Sequence, residues 1–443
     1  MKNILVIGAG RSSSSLIKYL LDNSDREGWN ITVADVSLEA VMQKTQGHPN
    51  SRAIEFDINN EQQRAEEISY ADLVISMLPA FMHMNVASDC LRFKKHLATA
   101  SYVSKEMAEM HIAAQEAGIV LLNETGLDPG IDHASAMKVI DEISGKGGQI
   151  TLFKSYCGGL VAPESNTNPW GYKFSWNPRN VILAGQGTAQ YIEKGQYKYI
   201  PYNRLFTQID TIDIDGLGRF DAYANRDSLS YRHSYGIDNI PTMLRGTLRM
   251  PGYCRAWNVF VKLGLTDDTY KIEASDTLTY PELLEAYLPE GGQSTKEKLI
   301  AFMGKEMDEE ILSKIEWLGL FEPVQIGIPN ASPAQILQHL LEEKWKLEEH
   351  DKDMIVMQHQ FTYTTAEKKT KTILSSLVVK GEDQVHTAMA KTVGLPLAIT
   401  AKLILQGKIK ARGVVIPTTK EIYIPLLEEL ETLGVRFEEK EID

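Results

Sequence analysis

Apolar and polar positions switch between two periods along the first third of the chain. Ile4-Leu5-Val6-Ile7 is an unbroken apolar run, as expected of a strand buried on both faces. Gly8-Ala9-Gly10 interrupts it. From 12 to 15 a segment opens in which Leu16, Ile17, Leu20 and Leu21 recur at helical spacing, and Ile31-Thr32-Val33-Ala34 returns to a strand run that ends in Asp35. The alternation continues with strands at 53–58, 72–76, 96–100 and 118–122 and helices at 61–70, 82–95 and 104–117. The last strand runs out at Gly126-Leu127-Asp128-Pro129-Gly130. Strands and helices in this order predict an α/β fold, a Rossmann-type doubly wound parallel sheet, over residues 1–130.

Beyond 130 the pattern changes. A helix follows, then a strand over 150–155 that ends at Cys157-Gly158-Gly159, then a stretch at 160–180 rich in Pro, Asn and aromatics. Residues 181–260 alternate strands and turns, and 280–350 carry helical spacing with many acids. The expectation is an inserted α+β substrate domain over 131–383, with 280–350 as a small helical subdomain. Residues 353–363 and 369–380 read as a hairpin turning at Ala366-Glu367-Lys368. A long apolar-faced helix spans 384–406, and the segment 384–443 is expected to return to the first domain.

Composition narrows the classes. A chain of 443 residues has room for two or three domains, and a net charge of −13 with no basic run argues against a nucleic-acid surface. Cys90, Cys157 and Cys254 lie far apart with no C-x-x-C pair, which suits a reducing compartment and no metal site. The chain starts directly with a strand, and no apolar run looks long enough to span a membrane, so a cytoplasmic protein is expected.

Strand, glycine turn, helix, strand and terminal acid together form the dinucleotide-binding βαβ arrangement. Gly8 and Gly10 let backbone approach a pyrophosphate, and Arg11, Ser12 and Ser13 open the helix whose free N–H groups face it. Ser13 stands where the third fingerprint glycine is missing. Asp35 is placed to accept from a ribose diol, Asp57 and Ile58 to lie near the adenine, and Ser76 and Leu78 near the nicotinamide. A carboxylate at 35 opposes a 2′-phosphate, so NAD is expected over NADP. NADP stays possible through Arg11, which either turns toward that phosphate or lies along the pyrophosphate.

Seven segments carry a resemblance: LVISMLPAFMH (73–83), TASYVSKEM (99–107), GLDPGIDH (126–133), KSYCGGLVAPE (154–164), NPWGYKFSWNP (168–178), NRDS (225–228) and LRGTLRMPGY (244–253). In this order they resemble the glutamate-forming saccharopine dehydrogenases, also called saccharopine reductases. The resemblance implies oxidation of L-saccharopine with NAD(P) and water to L-glutamate and 2-aminoadipate semialdehyde. Hydride leaves the carbon beside the secondary amine, and the resulting imine is hydrolysed. The implied reaction centre is Tyr102, Asp128 and Cys157, with Leu127, Asp128 and Pro129 also beside the cofactor and Ser101 and Tyr102 beside the substrate. A small-molecule substrate is thus the expected partner, with a homodimer possible.

Saccharopine carries three carboxylates, which call for guanidinium forks. Arg226, Arg245 and Arg249, with Thr247 between the last two, are the candidates, expected in short polar loops. The reaction also moves protons. Asp128 either serves there or caps the next helix, Tyr102 either serves or packs, and Cys157 either serves or is an inert buried thiol. Trp170 and Trp176 either wall the pocket, Trp176 covering the nicotinamide, or pack in the core. His133 reads as structural, His83 and His111 as ordinary helix residues. Two other functions compete: a carboxynorspermidine-type or lysine ε-amine dehydrogenase, and a catalytically silent NAD(P)-binding sensor.

Overall fold

The structure is a computed structural model that describes residues 1–291 and 294–442. It divides into two compact units. The first holds Met1–Ile150, His233–Asp238 and Thr362–Asp443, and the second holds Thr151–Arg232 and Asn239–Phe361.

Six strands open the first unit: β1 (Lys2–Ile7), β2 (Trp29–Asp35), β3 (Ser51–Glu55), β4 (Leu73–Ser76), β5 (His96–Thr99) and β6 (Val120–Leu122). The chain continues through β7 (Gln149–Val161), β8 (Ala189–Glu193), β9 (Gln196–Ile200), β10 (Asp210–Ile214), β11 (Gly218–Ala224), β12 (Thr242–Arg249) and β13 (Asp353–Thr364). It ends with β14 (Thr370–Lys380), β15 (Gly413–Val415) and β16 (Phe437–Ile442).

The first unit's main sheet has seven strands in the order β15-β6-β5-β4-β1-β2-β3. All its pairings are parallel. The order reverses direction at β1 and β4, the place where such sheets open a crevice at the strands' carboxyl ends. Register aligns those ends: Ile7 pairs with Ala34 and with Ser76, and Ser76 pairs with Thr99. The edge strand β15 comes from the C-terminal segment. Helix Ala388–Leu405 of that segment packs on helix Ser14–Glu27 so closely that a Cβ on Gly394 would lie 2.7 Å from the Leu16 nitrogen. This helix is long and apolar enough to cross a membrane by length and composition, unlike the sequence expectation, but 83% of it is buried inside the structure. A helix apolar on every face is a core helix when neighbours cover it.

Three expectations are revised. Helix Ile131–Gly145 and the hairpin's second strand β14 belong to the first unit, so the boundaries at 130 and 383 move to 150 and 362. The helix expected over 104–117 is two short ones, Lys105–Glu109 and His111–Glu116. The acidic helices at 280–350 are no separate subdomain. Their Leu283, Leu284, Leu299, Ile311 and Ile315 share one apolar core with Tyr156, Trp170, Trp257 and Phe260 of the second unit. The acids sit on the outer faces, which is why composition suggested a detached piece.

In the second unit β10-β11-β12-β7-β13 follow one another, with β8 on β12 and β9 on β8. β12 runs parallel to β7 and antiparallel to β11. Side chains two apart on a strand share a face. Arg245, Thr247 and Arg249 therefore line one face of β12, and Cys157 lies directly beside Thr247.

Candidate active site

The glycine turn after β1 is shaped by close approach. Gly8 has φ +109°, and a Cβ there would lie 3.1 Å from the Met77 carbonyl oxygen, so only glycine fits between the ends of β1 and β4. A Cβ on Gly10 would meet nothing within 4 Å, which leaves open space above the turn for a phosphate. Arg11–Ser13 form one 3-10 turn before the helix begins at Ser14. Arg11 is exposed and Ser12 half-buried. Ser13 is buried and donates its hydroxyl to the Gly10 carbonyl at 2.8 Å, which stiffens the turn. Glycine turn and helix N-terminus together fit a dinucleotide's pyrophosphate.

Asp35 ends β2, but its carboxylate serves the turn. Oδ2 accepts from the Ala9 amide at 2.6 Å and Oδ1 from the Ser37 amide at 3.0 Å. Lys44, which the sequence did not single out, donates to Ser14 Oγ at 2.6 Å. Burial lowers the pKa of its ammonium, opposed by attraction to Asp35. Asp57 is exposed and folds onto the Asn59 amide at 2.9 Å. Ile58 is buried in the core, and its carbonyl accepts from Arg64 Nη1 at 2.7 Å.

At the carboxyl ends of β4 and β5 lies a hydroxyl–imidazole cluster. His83 is buried at the start of helix His83–Phe93. Its Nδ1 is 2.9 Å from Ser76 Oγ, and its Nε2 is 2.7 Å from Ser101 Oγ and 3.3 Å from Thr99 Oγ1. Burial pushes its pKa down to about 4. His83 is thus no ordinary helix residue. Leu78 is half-buried against the apolar core below.

The strand end at 126–130 makes a closed turn. The Gly126 amide donates to the Pro129 carbonyl at 2.9 Å, and Gly130 adopts φ +145° because a Cβ would lie 2.1 Å from the Gly126 oxygen. The N-cap of the following helix is Gly130 with no side-chain cap, so capping is not the role of Asp128. Its Oδ1 accepts instead from the Tyr102 hydroxyl at 3.3 Å. Leu127 and Pro129 are buried beside it. His133 lies fully buried between Glu124 Oε2 at 2.8 Å and the Tyr235 hydroxyl at 2.5 Å. Glu124 also accepts from the Val103 amide at 2.9 Å. Neither Glu124 nor Tyr235 was visible in the sequence, because both partners are remote in it or unmarked by a motif.

The second unit holds the other candidates. Arg226 is exposed in a loop, as expected. Arg245 and Arg249 are not loop residues; both are buried on β12. The Arg245 guanidinium lies 4.6 Å over the Tyr231 ring. Ser228 Oγ accepts from the Arg245 amide at 2.8 Å, which ties the loop 225–228 to β12. Thr247 donates to Asn225 Oδ1 at 2.7 Å. Cys157 is buried beside Thr247. Arg249 departs furthest from expectation. Its guanidinium sits among the rings of Tyr172, Tyr223 and Tyr253, 5.3 to 5.6 Å from their centroids, with Nη1 on the Leu248 carbonyl. Burial opposes this charge and the tyrosines favour it, so Arg249 is a core cation held by π faces rather than a surface fork. Trp170 is buried in the aromatic core, stacked on Phe260, whereas Trp176 is half-buried, packs against that core and donates to the Tyr172 hydroxyl at 3.1 Å.

Comparison with known proteins gives one answer along the chain. Residues 4–122 match the family described as the saccharopine dehydrogenase NADP binding domain, and 126–435 the saccharopine dehydrogenase C-terminal domain. Saccharopine dehydrogenase [NADP(+), L-glutamate-forming] of Schizosaccharomyces pombe is 37% identical over 452 residues, covering 100% of both chains. The enzyme of the same name from Saccharomyces cerevisiae is 37% identical, covering 100% of this chain and 99% of its own. The solved apo structure of saccharopine dehydrogenase (L-Glu forming) from Saccharomyces cerevisiae superposes with a TM-score of 0.90 at 36% identity over 100% of both chains. The expected preference for NAD finds no support here, since the matched domain is NADP-binding and both fungal enzymes carry NADP(+) in their names. The Asp35 carboxylate is engaged with two backbone amides and has Lys44 as a neighbouring cation.

Proposed function

Because the chain belongs to the saccharopine dehydrogenase family, we propose that it converts L-saccharopine and water to L-glutamate and 2-aminoadipate semialdehyde, with NADP as oxidant. The observation that carries the proposal is similarity from end to end, at 37% identity over 100% of both chains. The fold adds support, because the strand ends and the glycine turn suit a dinucleotide.

When bound, the nicotinamide accepts hydride from the substrate carbon beside the secondary amine. The chain's own residues do the rest. Gly10 and the turn opening at Arg11 hold the pyrophosphate through backbone N–H groups, while the Gly8 amide is spent on the Ala34 carbonyl and Gly8 only lets the turn lie close to Met77. Ser76, Leu78, Leu127 and Pro129 border the nicotinamide. Arg226 and Arg245 pair with substrate carboxylates, and Thr247 orients one of them. The Tyr102–Asp128 pair takes the amine proton and helps activate the water that opens the imine. Cys157 adds a weak hydrogen bond. The buried state of all three cysteines suits a reducing, cytoplasmic setting.

The comparisons give no support to the carboxynorspermidine, lysine ε-amine or silent-sensor alternatives. The test offers saccharopine, carboxynorspermidine and lysine in parallel to the purified chain, with NADP and with NAD, and follows reduced cofactor. Turnover of saccharopine alone, faster with NADP, is expected. Turnover of either rival substrate in its place overturns the proposal.

A further inference from the structure

We propose that His83 is a positioning residue: it fixes the Ser101 hydroxyl at the strand-end row and acts on the reaction through that hydroxyl. The inference rests on the proposed saccharopine chemistry for its kinetic readout, and on none of it for its spectroscopic one.

The cluster is built by register. Ser76 and Thr99 are direct partners on β4 and β5, and Ser101 follows Thr99 by two residues. Three hydroxyls from adjacent strand ends therefore converge on one ring, Ser76 on Nδ1 and Ser101 and Thr99 on Nε2. The Ser101 amide also donates to Thr99 Oγ1 at 3.3 Å, so the backbone of residue 101 is held by Thr99 and its side chain by His83. A neutral imidazole has one N–H and one lone pair. The ring's single proton thus sets the hydroxyl directions of Ser76 and Ser101 together. With the proton on Nδ1, the Nε2 lone pair accepts from Ser101 and leaves that oxygen an acceptor toward the crevice. With the proton on Nε2, Ser101 is free to donate. Such chains are cooperative, and one missing member loosens all of them. Burial keeps the ring neutral, with its pKa near 4, so the arrangement holds at neutral pH. His83 itself is buried under the hydroxyls, and any influence on bound molecules passes through them.

The sequence context agrees. Ser76 ends a strand, Pro79 turns the chain, and a 3-10 turn at Ala80–Met82 delivers His83 back beneath the same strand end. Nothing in apolar packing requires an imidazole at that place; a leucine would fill the volume and satisfy no hydroxyl.

The experiment has two arms. Nitrogen-15 NMR of the histidine-labelled protein at neutral pH is expected to show His83 as one fixed neutral tautomer, with its Nε2 resonance moved by Ser101→Ala. An imidazolium, two exchanging tautomers, or an Nε2 resonance indifferent to Ser101→Ala overturns the proposal whatever the substrate proves to be. In kinetics, His83→Phe is expected to lower kcat for saccharopine by about tenfold to a hundredfold, as small misplacements do. The dissociation constant for NADPH, read by fluorescence, should stay within about threefold. His83→Gln, whose amide can reach Ser101, should recover most of the loss. In a Ser101→Ala background His83→Phe should add little. Additive losses, or a loss that follows thermal stability and is not rescued by glutamine, would assign His83 to folding alone. Failure of wild type to turn over saccharopine strikes the proposed function and leaves the NMR arm standing.

Discussion

The strand-end row of the first unit and the β12 face of the second solve opposite problems. The first gathers small neutral groups, namely the hydroxyls of Ser76, Thr99 and Ser101 around His83, and one carboxylate at Asp128 beside Tyr102. The second buries two guanidinium groups on one strand, Arg245 over Tyr231 and Arg249 among three tyrosines. Neutral groups can be satisfied by one another at a strand end. Buried cations need an anion or a π face, and aromatic rings lie against both of these. Directional hydrogen bonding marks one region and stored positive charge the other; the proposed proton handling falls to the first, and the proposed carboxylate recognition to Arg245 in the second.

The largest expected effect tests whether the first region depends on its backbone. Gly130→Ala forces a Cβ to within 2.1 Å of the Gly126 oxygen at φ +145°. A loss of about 4 kcal/mol or more in unfolding free energy is expected, by denaturant titration. A normal midpoint would mean the turn around Asp128 is not rigid.

Next comes the charge of the second region. Arg245→Ala should cost about 2–5 kcal/mol in kcat/KM for saccharopine, by leaving a substrate carboxylate unpaired. Arg245→Lys should restore little, since a point charge replaces a planar fork. An unchanged kcat/KM would remove Arg245 from substrate recognition.

The contrast predicts an acid-sensitive first unit. The His83 imidazole titrates near 6.5 when unfolded and near 4 when folded. Below pH 6.5 the unfolded chain binds a proton there that the folded chain refuses, so stability falls as pH drops from about 6.5 to 4 and is flat above. The full effect is roughly 3 kcal/mol. Comparing wild type with His83→Gln by denaturant titration across that range should show the variant's curve flatter by this amount. Parallel curves would contradict it.

Asp128→Asn should lower kcat/KM by about tenfold to a hundredfold with little change in stability, because this carboxylate does not cap its helix. A drop in melting temperature with full activity would reverse that assignment. The smallest effect concerns the cofactor. Lys44→Ala should weaken NADP binding by a few fold, about 1 kcal/mol, and leave NAD binding nearly as it was, because a half-buried, partly solvent-screened cation near a phosphate is worth little more. Calorimetric titration with both cofactors would show it, and equal weakening of both would mean Lys44 only supports the helix at Ser14.

The two regions also differ in how far the sequence reveals them. Topology rules mark strand ends as candidate sites, so Gly8, Gly10 and Ser76 could be put at strand ends from the alternation of strands and helices, whereas the role expected of Asp128 came from the resemblance. His83 was missed because a histidine in a helix carries no sign of which hydroxyls will face it. The arginines were named for their charge but set in loops, because 244–249 mixes arginine, glycine and threonine and reads as polar connection. Pairing with β7 and β11 makes it a central strand, and that partner choice is nonlocal. Asp35 was assigned to the ribose because its place at the end of β2 is readable, whereas the Ala9 and Ser37 amides that engage it are a matter of local turn geometry.

The most direct test of the central claim is product analysis of the wild-type chain incubated with L-saccharopine and NADP. The account predicts one L-glutamate and one 2-aminoadipate semialdehyde released for each NADPH formed. NADPH formation without glutamate, or no NADPH from saccharopine at all, would contradict it.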